Sequence, residues 1–342
     1  MTPQTIEDPI RIDDEQVLNG LRVKQNQVTW AERDTLAEKI ALRINAEHAN
    51  VYTGKNTGQF LEELRLRGIC PILNLDSSIC ERVFGYFNST LCYAAHVPAY
   101  SDTAAALPSE IGKRSTYGSY KLEQSLLAPD VIEFALNPSI LDLAGAYLNC
   151  LPSLYSINTF WTFPSAAVGL THDFHRDEDD YRFVAVFIYW TPVEQGEGEF
   201  YFIDRTHDRR FVDHRVKKSG WARGITEQQR AMQGAEEFRR MGYDSTNGYG
   251  FSEFYLRLFP AEVSCVTGRA GTVVVADTFG LHRGSLPKQR ARLCTWIRYG
   301  LYANDAYNID KTRPIPASTL RGRVPDNETT KFITRLVLDW NS

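Results

Sequence analysis

Short apolar runs separated by turn residues fill the second half of this chain, and they restrict its fold more than any other feature. Between about 154 and 302 the runs are rich in β-branched and aromatic residues, with Gly, Pro and Asp between them. Such a pattern is typical of strands joined by turns. The candidate strands are 154–162, 182–190, 199–203, 263–267, 272–276 and 291–299. Many short strands in succession predict two sheets that face each other, the jelly-roll arrangement.

The first half of the chain instead shows helical spacing. Apolar residues recur at helical intervals over 30–49 and 57–67, which predicts two helices. Asp76 and Asn137 stand where helix N-caps are common and predict two more. A last short helix is expected over 332–340. The sequence therefore predicts a mainly β fold with flanking helices (α+β), in which a helical layer lies on the N-terminal side of the sheets.

We predict a single domain over residues 1–342. Residues 1–150 would form a loosely held arm and the helical layer, 151–302 the jelly-roll core, and 303–342 a C-terminal segment. The stretch 206–260 is rich in Arg, Glu, Gln and Gly and interrupts the strands. An insert of this length within a β-domain is typical of a lid or binding loop. Its basic residues fit either a solvated face or an anion site.

Charge and cysteine usage narrow the class of protein. The chain has 38 Lys and Arg against 42 Asp and Glu in 342 residues, which lacks the basic excess of a nucleic-acid or membrane-surface binder. Its six cysteines are scattered without C-x-x-C pairs, as is typical of reduced cytoplasmic thiols. Neither a signal peptide nor a bilayer-length apolar run is evident. We expect a cytoplasmic monomer or homodimer without nucleic-acid or membrane partners.

Two histidines and one aspartate form the most informative motif. His175 and Asp177 make a His-x-Asp pair, and His282 follows far downstream in Gly-Leu-His-Arg-Gly. Two imidazoles and one carboxylate are the facial triad of non-haem Fe(II) oxygenases, which leaves one face of the ion open. Alternate residues on an extended segment point the same way, so Arg176 is expected to point away from the ion, either as a contact that supports the ligands or as a lid contact. The alternative is a polar turn among the acidic residues that follow.

The other histidines lack such a context. His172 lies beside Asp173 rather than two residues before a carboxylate, and we interpret it as a loop residue. The remaining histidines are interpreted as structural or exposed: His48, His96, His207 and His214.

Four segments follow one another in an order that is more specific than any one of them. They are residues 64–73, Phe174-His175-Arg176-Asp177, residues 196–207 and residues 277–284. Together they resemble the phytanoyl-CoA dioxygenase family of Fe(II)/2-oxoglutarate-dependent oxygenases over roughly residues 60–300. The resemblance implies a double-stranded β-helix (jelly-roll, cupin-like) core. It also implies that the two histidines and the aspartate bind Fe(II), with 2-oxoglutarate and O₂ as co-substrates.

The resemblance also implies an arginine for the far carboxylate of 2-oxoglutarate. A guanidinium suits this role because its planar fork makes two parallel, charge-assisted hydrogen bonds. Arg292 opens a strand ten residues after the distal histidine, and it is our first candidate. Arg290 and Arg298 stay open as alternatives, since the spacing in related enzymes is often one residue longer. Asn158 and Trp190 stand where related enzymes line the co-substrate pocket.

One face of the strand 154–162 is polar. It carries Ser156, Asn158 and Thr162, while the other face carries Tyr155, Ile157 and Trp161. Polar residues at these positions fit either the lining of an internal cavity or a solvent-facing edge.

The implied reaction is hydroxylation of an unactivated C–H bond in a small-molecule metabolite, with release of succinate and CO₂. Desaturation or ring formation would begin in the same way, and the family name does not license a CoA thioester, because one fold hosts many chemistries. Two other functions are considered: a non-haem iron oxygenase that does not use 2-oxoglutarate, and a non-catalytic jelly-roll metal-binding or sensor protein.

Overall fold

Two antiparallel sheets face each other in this protein. The computed structural model describes residues 30–164, 172–177, 179–218, 252–301 and 314–342. The predicted N-terminal arm and the central part of the 206–260 insert lie outside these ranges. The strands are β1 (Ile69–Asn74), β2 (Tyr117–Ser119), β3 (Ser153–Thr162), β4 (Phe183–Tyr189), β5 (Phe200–Ile203), β6 (Val263–Val266), β7 (Thr272–Ala276), β8 (His282–Gly284), β9 (Arg292–Gly300), β10 (Ile315–Pro316) and β11 (Leu338–Asp339).

The larger sheet has the strand order β1-β7-β4-β9-β3-β2, and the smaller sheet has the order β6-β5-β8. An isolated bridge between His175 and His282 extends the smaller sheet beyond β8. A separate parallel pair joins β10 to β11. The jelly-roll core predicted from the strand pattern is therefore confirmed.

Alternation along the central strands divides the core into two layers. In β4, Val184, Val186 and Ile188 pack toward the helices. Phe187 and Tyr189 of the same strand pack between the two sheets. Because both faces of β4 are covered, its sequence is a continuous apolar run rather than an alternating one.

Helices cover the outer face of the larger sheet. The helices within the described ranges are α1 (Trp30–Glu47), α2 (Gly58–Arg67), α3 (Ser77–Ser89), α4 (Pro108–Ile111), α5 (Leu122–Leu127), α6 (Val131–Ala135), α7 (Pro138–Leu148), α8 (Arg209–Lys218), α9 (Ser252–Leu258) and α10 (Glu328–Thr334). Of these, α8 and α9 pack in a separate apolar cluster. Asn137 caps α7 by accepting a hydrogen bond from the Ser139 amide at 2.9 Å. Asp76 precedes α3 in extended conformation, but its side chain makes no capping hydrogen bond.

The C-terminal segment differs from the prediction. The expected helix over 332–340 ends at Thr334, and the chain then forms β11. The Trp340 indole N–H donates to the Thr334 hydroxyl at 3.0 Å, which folds the end of the chain back onto the helix. The apolar residues at helical spacing are buried here by a turn and a short strand instead of by a longer helix.

Within the described ranges, no helix combines the length and the apolar character that crossing a membrane requires.

Candidate metal centre and co-substrate cavity

The two histidines of the motif lie opposite each other on neighbouring extended segments. The His175 amide donates to the His282 carbonyl at 2.9 Å, and the His282 amide donates back at 2.9 Å. The Asp177 amide donates to the Thr278 carbonyl at 2.8 Å. Backbone pairing alone therefore brings together two segments that are more than a hundred residues apart in sequence.

The three side chains converge on one point. His175 Nε2 lies 3.8 Å from Asp177 Oδ1, and His282 Nε2 lies 3.6 Å from Asp177 Oδ2. One ligand atom from each residue lies within 4.8 Å of the others. A donor set of two imidazoles and one carboxylate suits Fe(II) with open positions, so these residues fit the metal that the sequence implied.

Hydrogen bonds fix which imidazole nitrogen is available to a metal. His175 Nδ1 lies 2.8 Å from the Asp173 carbonyl, and His282 Nδ1 lies 3.0 Å from the Gly280 carbonyl. A carbonyl only accepts, so each Nδ1 carries the proton and each Nε2 keeps its lone pair. Burial lowers the pKa of His282 to about 4 and also lowers the pKa of His175. Both rings are therefore held neutral, as metal binding requires.

Arg298 on β9 pairs with the carboxylate of Asp177. Its Nη2 lies 3.1 Å from Asp177 Oδ2, and its Nη1 bonds the Asp179 carboxylate. The Tyr155 hydroxyl donates to the same Asp179 oxygen at 3.0 Å. Burial raises the pKa of Asp177, but the charge of the adjacent Arg298 guanidinium outweighs it and lowers the pKa to about 2. The carboxylate is therefore ionised and orientated.

A tight turn presents the distal histidine. The Gly280 amide donates to the Asp277 carbonyl at 2.9 Å, and the Tyr147 hydroxyl of α7 donates to the Asp277 carboxylate at 2.5 Å. A Cβ on Gly280 would lie 2.3 Å from the Phe202 ring, so only glycine fits without a shift of that ring. The helical layer and the smaller sheet together set the position of His282.

Arg176 does not line the cavity, as expected for the residue between His175 and Asp177, and it is buried rather than exposed. Its Nη1 donates to the Thr206 carbonyl at 2.7 Å and to the Phe279 carbonyl. The guanidinium thereby ties the His-x-Asp segment to the turn that precedes His282. Backbone carbonyls in loops need donors when buried, and Arg176 supplies two such bonds.

A cavity of about 370 Å³ opens above the three ligands. All of them line it, together with Arg292 and Arg298. Most of the remaining wall is aromatic: Tyr100, Tyr117, Phe160, Phe187, Tyr189, Phe200 and Trp296. A volume of this size suits a small molecule rather than a polymer.

Arg292 lies in the cavity wall without a carboxylate partner among the described residues. Its Nη1 bonds the Gly198 carbonyl, its Nη2 lies 3.0 Å from the Thr162 hydroxyl, and its Nε has no partner in the described parts of the chain. Only 7% of the residue is exposed. A buried cation that neutral oxygens alone surround favours an anionic ligand.

The two alternative arginines lie in different surroundings. Arg290 points away from the cavity, is half-exposed, and pairs with Glu194 at 2.6 Å. Arg298 is buried but pairs with two aspartates. Of the three candidates, Arg292 is the one that lines the cavity without an acidic partner in the described ranges.

Asn158 and Trp190 lie on opposite faces of the larger sheet. Asn158 is buried on the inner face, where its Nδ2 donates to the His96 carbonyl at 3.3 Å, but it does not itself line the cavity. Trp190 packs on the outer face, toward the helices, and its indole N–H donates to the Thr295 hydroxyl at 2.7 Å. The structure therefore does not bring Trp190 to the cavity.

The polar face of β3 lines the interior rather than a solvent-facing edge. Ser156, Asn158 and Thr162 are all buried. Thr162 contacts Arg292 directly. A solvent-facing edge is therefore excluded for these three residues, but none of them lines the cavity itself.

Among the cavity residues that were not identified from the sequence as part of the site are His96, Tyr117, His172 and Trp296. His96 and His172 had been interpreted as structural or loop residues. A signal for Trp296 did exist, because Arg292, Cys294, Trp296 and Arg298 are alternate residues of one strand and all line the cavity. Nothing local marked the two histidines, whose position depends on tertiary packing.

No protein-family model matches the chain, and no curated protein does. Solved structures do resemble it. HygX from Streptomyces hygroscopicus, with nickel and 2-oxoglutarate bound, is 16% identical over 71% of this chain and 87% of its own, with a TM-score of 0.43. The α-ketoglutarate-dependent epimerase SnoN of nogalamycin biosynthesis is 14% identical over 71% and 81%, with a TM-score of 0.42. EctD from S. alaskensis, with 2-oxoglutarate and 5-hydroxyectoine, is 12% identical over 85% and 88%, with a TM-score of 0.49.

Proposed function

We propose that this protein is an Fe(II)/2-oxoglutarate-dependent dioxygenase that hydroxylates an unactivated C–H bond of a small molecule. The observation that carries the proposal is a three-residue metal site and a buried arginine without an acidic partner in the described chain, both in one small cavity. A metal with open positions and a nearby cation are the two features that a chelating dicarboxylate requires.

Each residue has a role that follows from its contacts. His175 and His282 would hold the ion through Nε2, and Asp177 through Oδ1, because Arg298 occupies its Oδ2 side. Arg292, supported by Thr162, would bind the far carboxylate of 2-oxoglutarate. When bound, Fe(II), 2-oxoglutarate and O₂ supply the oxidising chemistry, with succinate and CO₂ as by-products. The aromatic wall would exclude water and hold the substrate above the ion.

The finer assignments belong to the same proposal. We place the chain among phytanoyl-CoA dioxygenase-like proteins because of the four ordered segments, of which two supply the metal ligands. A single-domain organisation is supported by the packing of the helical layer on the larger sheet. All six cysteines are free, which supports a reducing, cytoplasmic location. The expected partner is a small molecule, with the protein as monomer or homodimer.

Incubation of the purified protein with Fe(II), ascorbate and 2-oxoglutarate under air tests the proposal. We expect slow formation of succinate without substrate and faster formation when a substrate is added. Absence of both succinate formation and 2-oxoglutarate binding would contradict it. Turnover of a substrate that is unaffected by Arg292→Ala would instead favour an iron oxygenase that does not use 2-oxoglutarate.

A further inference from the structure

One part of the cavity wall is built from aromatic and imidazole rings. We call it the aromatic half and define it by His96, Tyr117, Phe160, His172 and Trp296, all of which line the cavity. The His96 ring lies 4.8 Å from the Tyr117 ring, 4.8 Å from the Phe160 ring and 5.0 Å from the Trp296 ring, each edge to face. Burial lowers the pKa of His96 to about 3, so this ring is neutral.

One hydrogen-bonded pair supplies polarity in the aromatic half. The Tyr117 hydroxyl lies 2.8 Å from His172 Nε2, and the two rings are nearly parallel, at 6° with centroids 5.7 Å apart. A hydroxyl both donates and accepts, so a ligand oxygen fits beside this pair.

Each permanently charged side chain that lines the cavity already has a role other than binding the substrate. In the described ranges these are Asp177, Arg292 and Arg298. Asp177 is a metal ligand in our proposal, and Arg298 is paired with Asp177 and Asp179. Arg292 is assigned to the co-substrate. An anionic substrate would therefore meet no unassigned guanidinium here, and a cationic substrate would meet no unassigned carboxylate.

Size and access limit the substrate further. The cavity of about 370 Å³ must hold the co-substrate as well as the substrate, and it lies near the lower end of ligand-pocket volumes. Tyr100, which lines the cavity, is 59% exposed. It marks the mouth, so a small molecule can enter past the turn Pro98–Tyr100.

We infer that the substrate is a small, uncharged, ring-bearing molecule with a hydroxyl or carbonyl oxygen, bound in the aromatic half with that oxygen beside Tyr117 and His172. This inference rests on the proposed function. The flat wall provides edge and face contacts for a ring, and burial of an unpaired charge in such a site is strongly unfavourable.

Two matched series of probes test the inference. One is tryptophol, indole-3-acetate and tryptamine; the other is 2-phenylethanol, phenylacetate and 2-phenylethylamine. Each series keeps the ring and exchanges a hydroxyl for a carboxylate or an ammonium group. Binding to the full chain, loaded with Zn(II) and 2-oxoglutarate, would be measured by ligand-observed NMR. We expect an alcohol of at least one series to bind, and its charged analogues to bind at least about tenfold more weakly.

Three variants test whether the alcohols bind in the aromatic half. Tyr117→Phe should weaken alcohol binding about fivefold, since one hydrogen bond is lost, and leave 2-oxoglutarate affinity unchanged. Trp296→Leu removes a ring of the wall and serves as a second variant if the first does not fold. Tyr52→Phe is the matched control, because Tyr52 packs on the helical side of the sheet. It should change neither affinity.

Three outcomes would overturn the inference: charged analogues that bind as tightly as the alcohols, no alcohol that binds in either series, or alcohol binding that neither cavity variant alters. Affinity for 2-oxoglutarate, measured on the same samples, separates this from the proposed function. Alcohol binding without 2-oxoglutarate binding would contradict the dioxygenase assignment and leave the aromatic half standing as a binding site.

Discussion

The two ends of β9 carry the same side chain in opposite electrostatic surroundings. Arg292 and Arg298 are both buried and both line the cavity. Arg298 faces two carboxylates, whereas Arg292 bonds a carbonyl and a hydroxyl. The difference teaches that the partners already present, rather than the residue type, decide which guanidinium is available to a ligand. In the proposed function, one end of the strand supports the metal centre and the other binds the co-substrate.

The largest effect is expected when the carboxylate at the Arg298 end is removed. Asp177→Ala deletes a metal ligand and should lower Fe(II) affinity and turnover by at least about 100-fold, because even outer partners of metal ligands contribute 10- to 100-fold. Metal binding can be measured by titration with Mn(II). Unchanged metal affinity in the Asp177→Ala protein would exclude the carboxylate as a ligand.

A substitution at the Arg292 end of β9 should instead change the binding of the co-substrate. Arg292→Ala removes a charge-assisted fork and should raise the KM for 2-oxoglutarate on the order of 100-fold, while Mn(II) affinity stays within a factor of two or so. The matched control is Arg290→Ala, two residues away in sequence but paired with Glu194 at the surface. If both variants raise the KM equally, the assignment of Arg292 fails.

Arg298→Gln should give the reverse pattern. The Asp177 carboxylate loses the charge that orientates it, so metal affinity should fall about 10- to 100-fold, as for other partners of metal ligands. The KM for 2-oxoglutarate at saturating metal should change little. A 2-oxoglutarate defect without a metal defect would exchange the roles of the two arginines.

The smallest effect is expected at the support of Arg292. Thr162→Val keeps the shape of the side chain and removes the hydroxyl that lies 3.0 Å from Nη2. Loss of one hydrogen bond of roughly 1 kcal/mol should raise the KM for 2-oxoglutarate about fivefold. The check is a full saturation curve, and a KM equal to that of the parent would remove Thr162 from the site.

The sequence predicted the strands better than it predicted the walls of the site. The six candidate strands match β3, β4, β5, β6, β7 and β9 to within one residue at each end, because long apolar runs between turn residues have few other solutions. The short β2 and β8 were not predicted, since three residues show no period. Their pairing depends on neighbouring strands rather than on local preference.

The residues of the site divide in the same way, into those that the sequence could predict and those that it could not. His175, Asp177 and His282 could be proposed because the metal demands certain residue types at a certain spacing. His96 and His172 could not be proposed, because they lie on loops whose course is set by contacts with distant parts of the chain. Trp190 was proposed from its place in the chain, but the alternation of β4 carries it to the outer face. Pairing of Arg298 with two aspartates likewise depends on contacts across the fold.

Calorimetric titration of 2-oxoglutarate into the protein, without oxygen and with or without Mn(II), tests the central assignment most directly. We predict that one equivalent binds tightly when Mn(II) is present, and that binding is lost on removal of the metal or in the His282→Ala protein. Binding that is equally tight with and without the metal would contradict a shared site. Absence of 2-oxoglutarate binding in a protein shown to hold Mn(II) would contradict it as well.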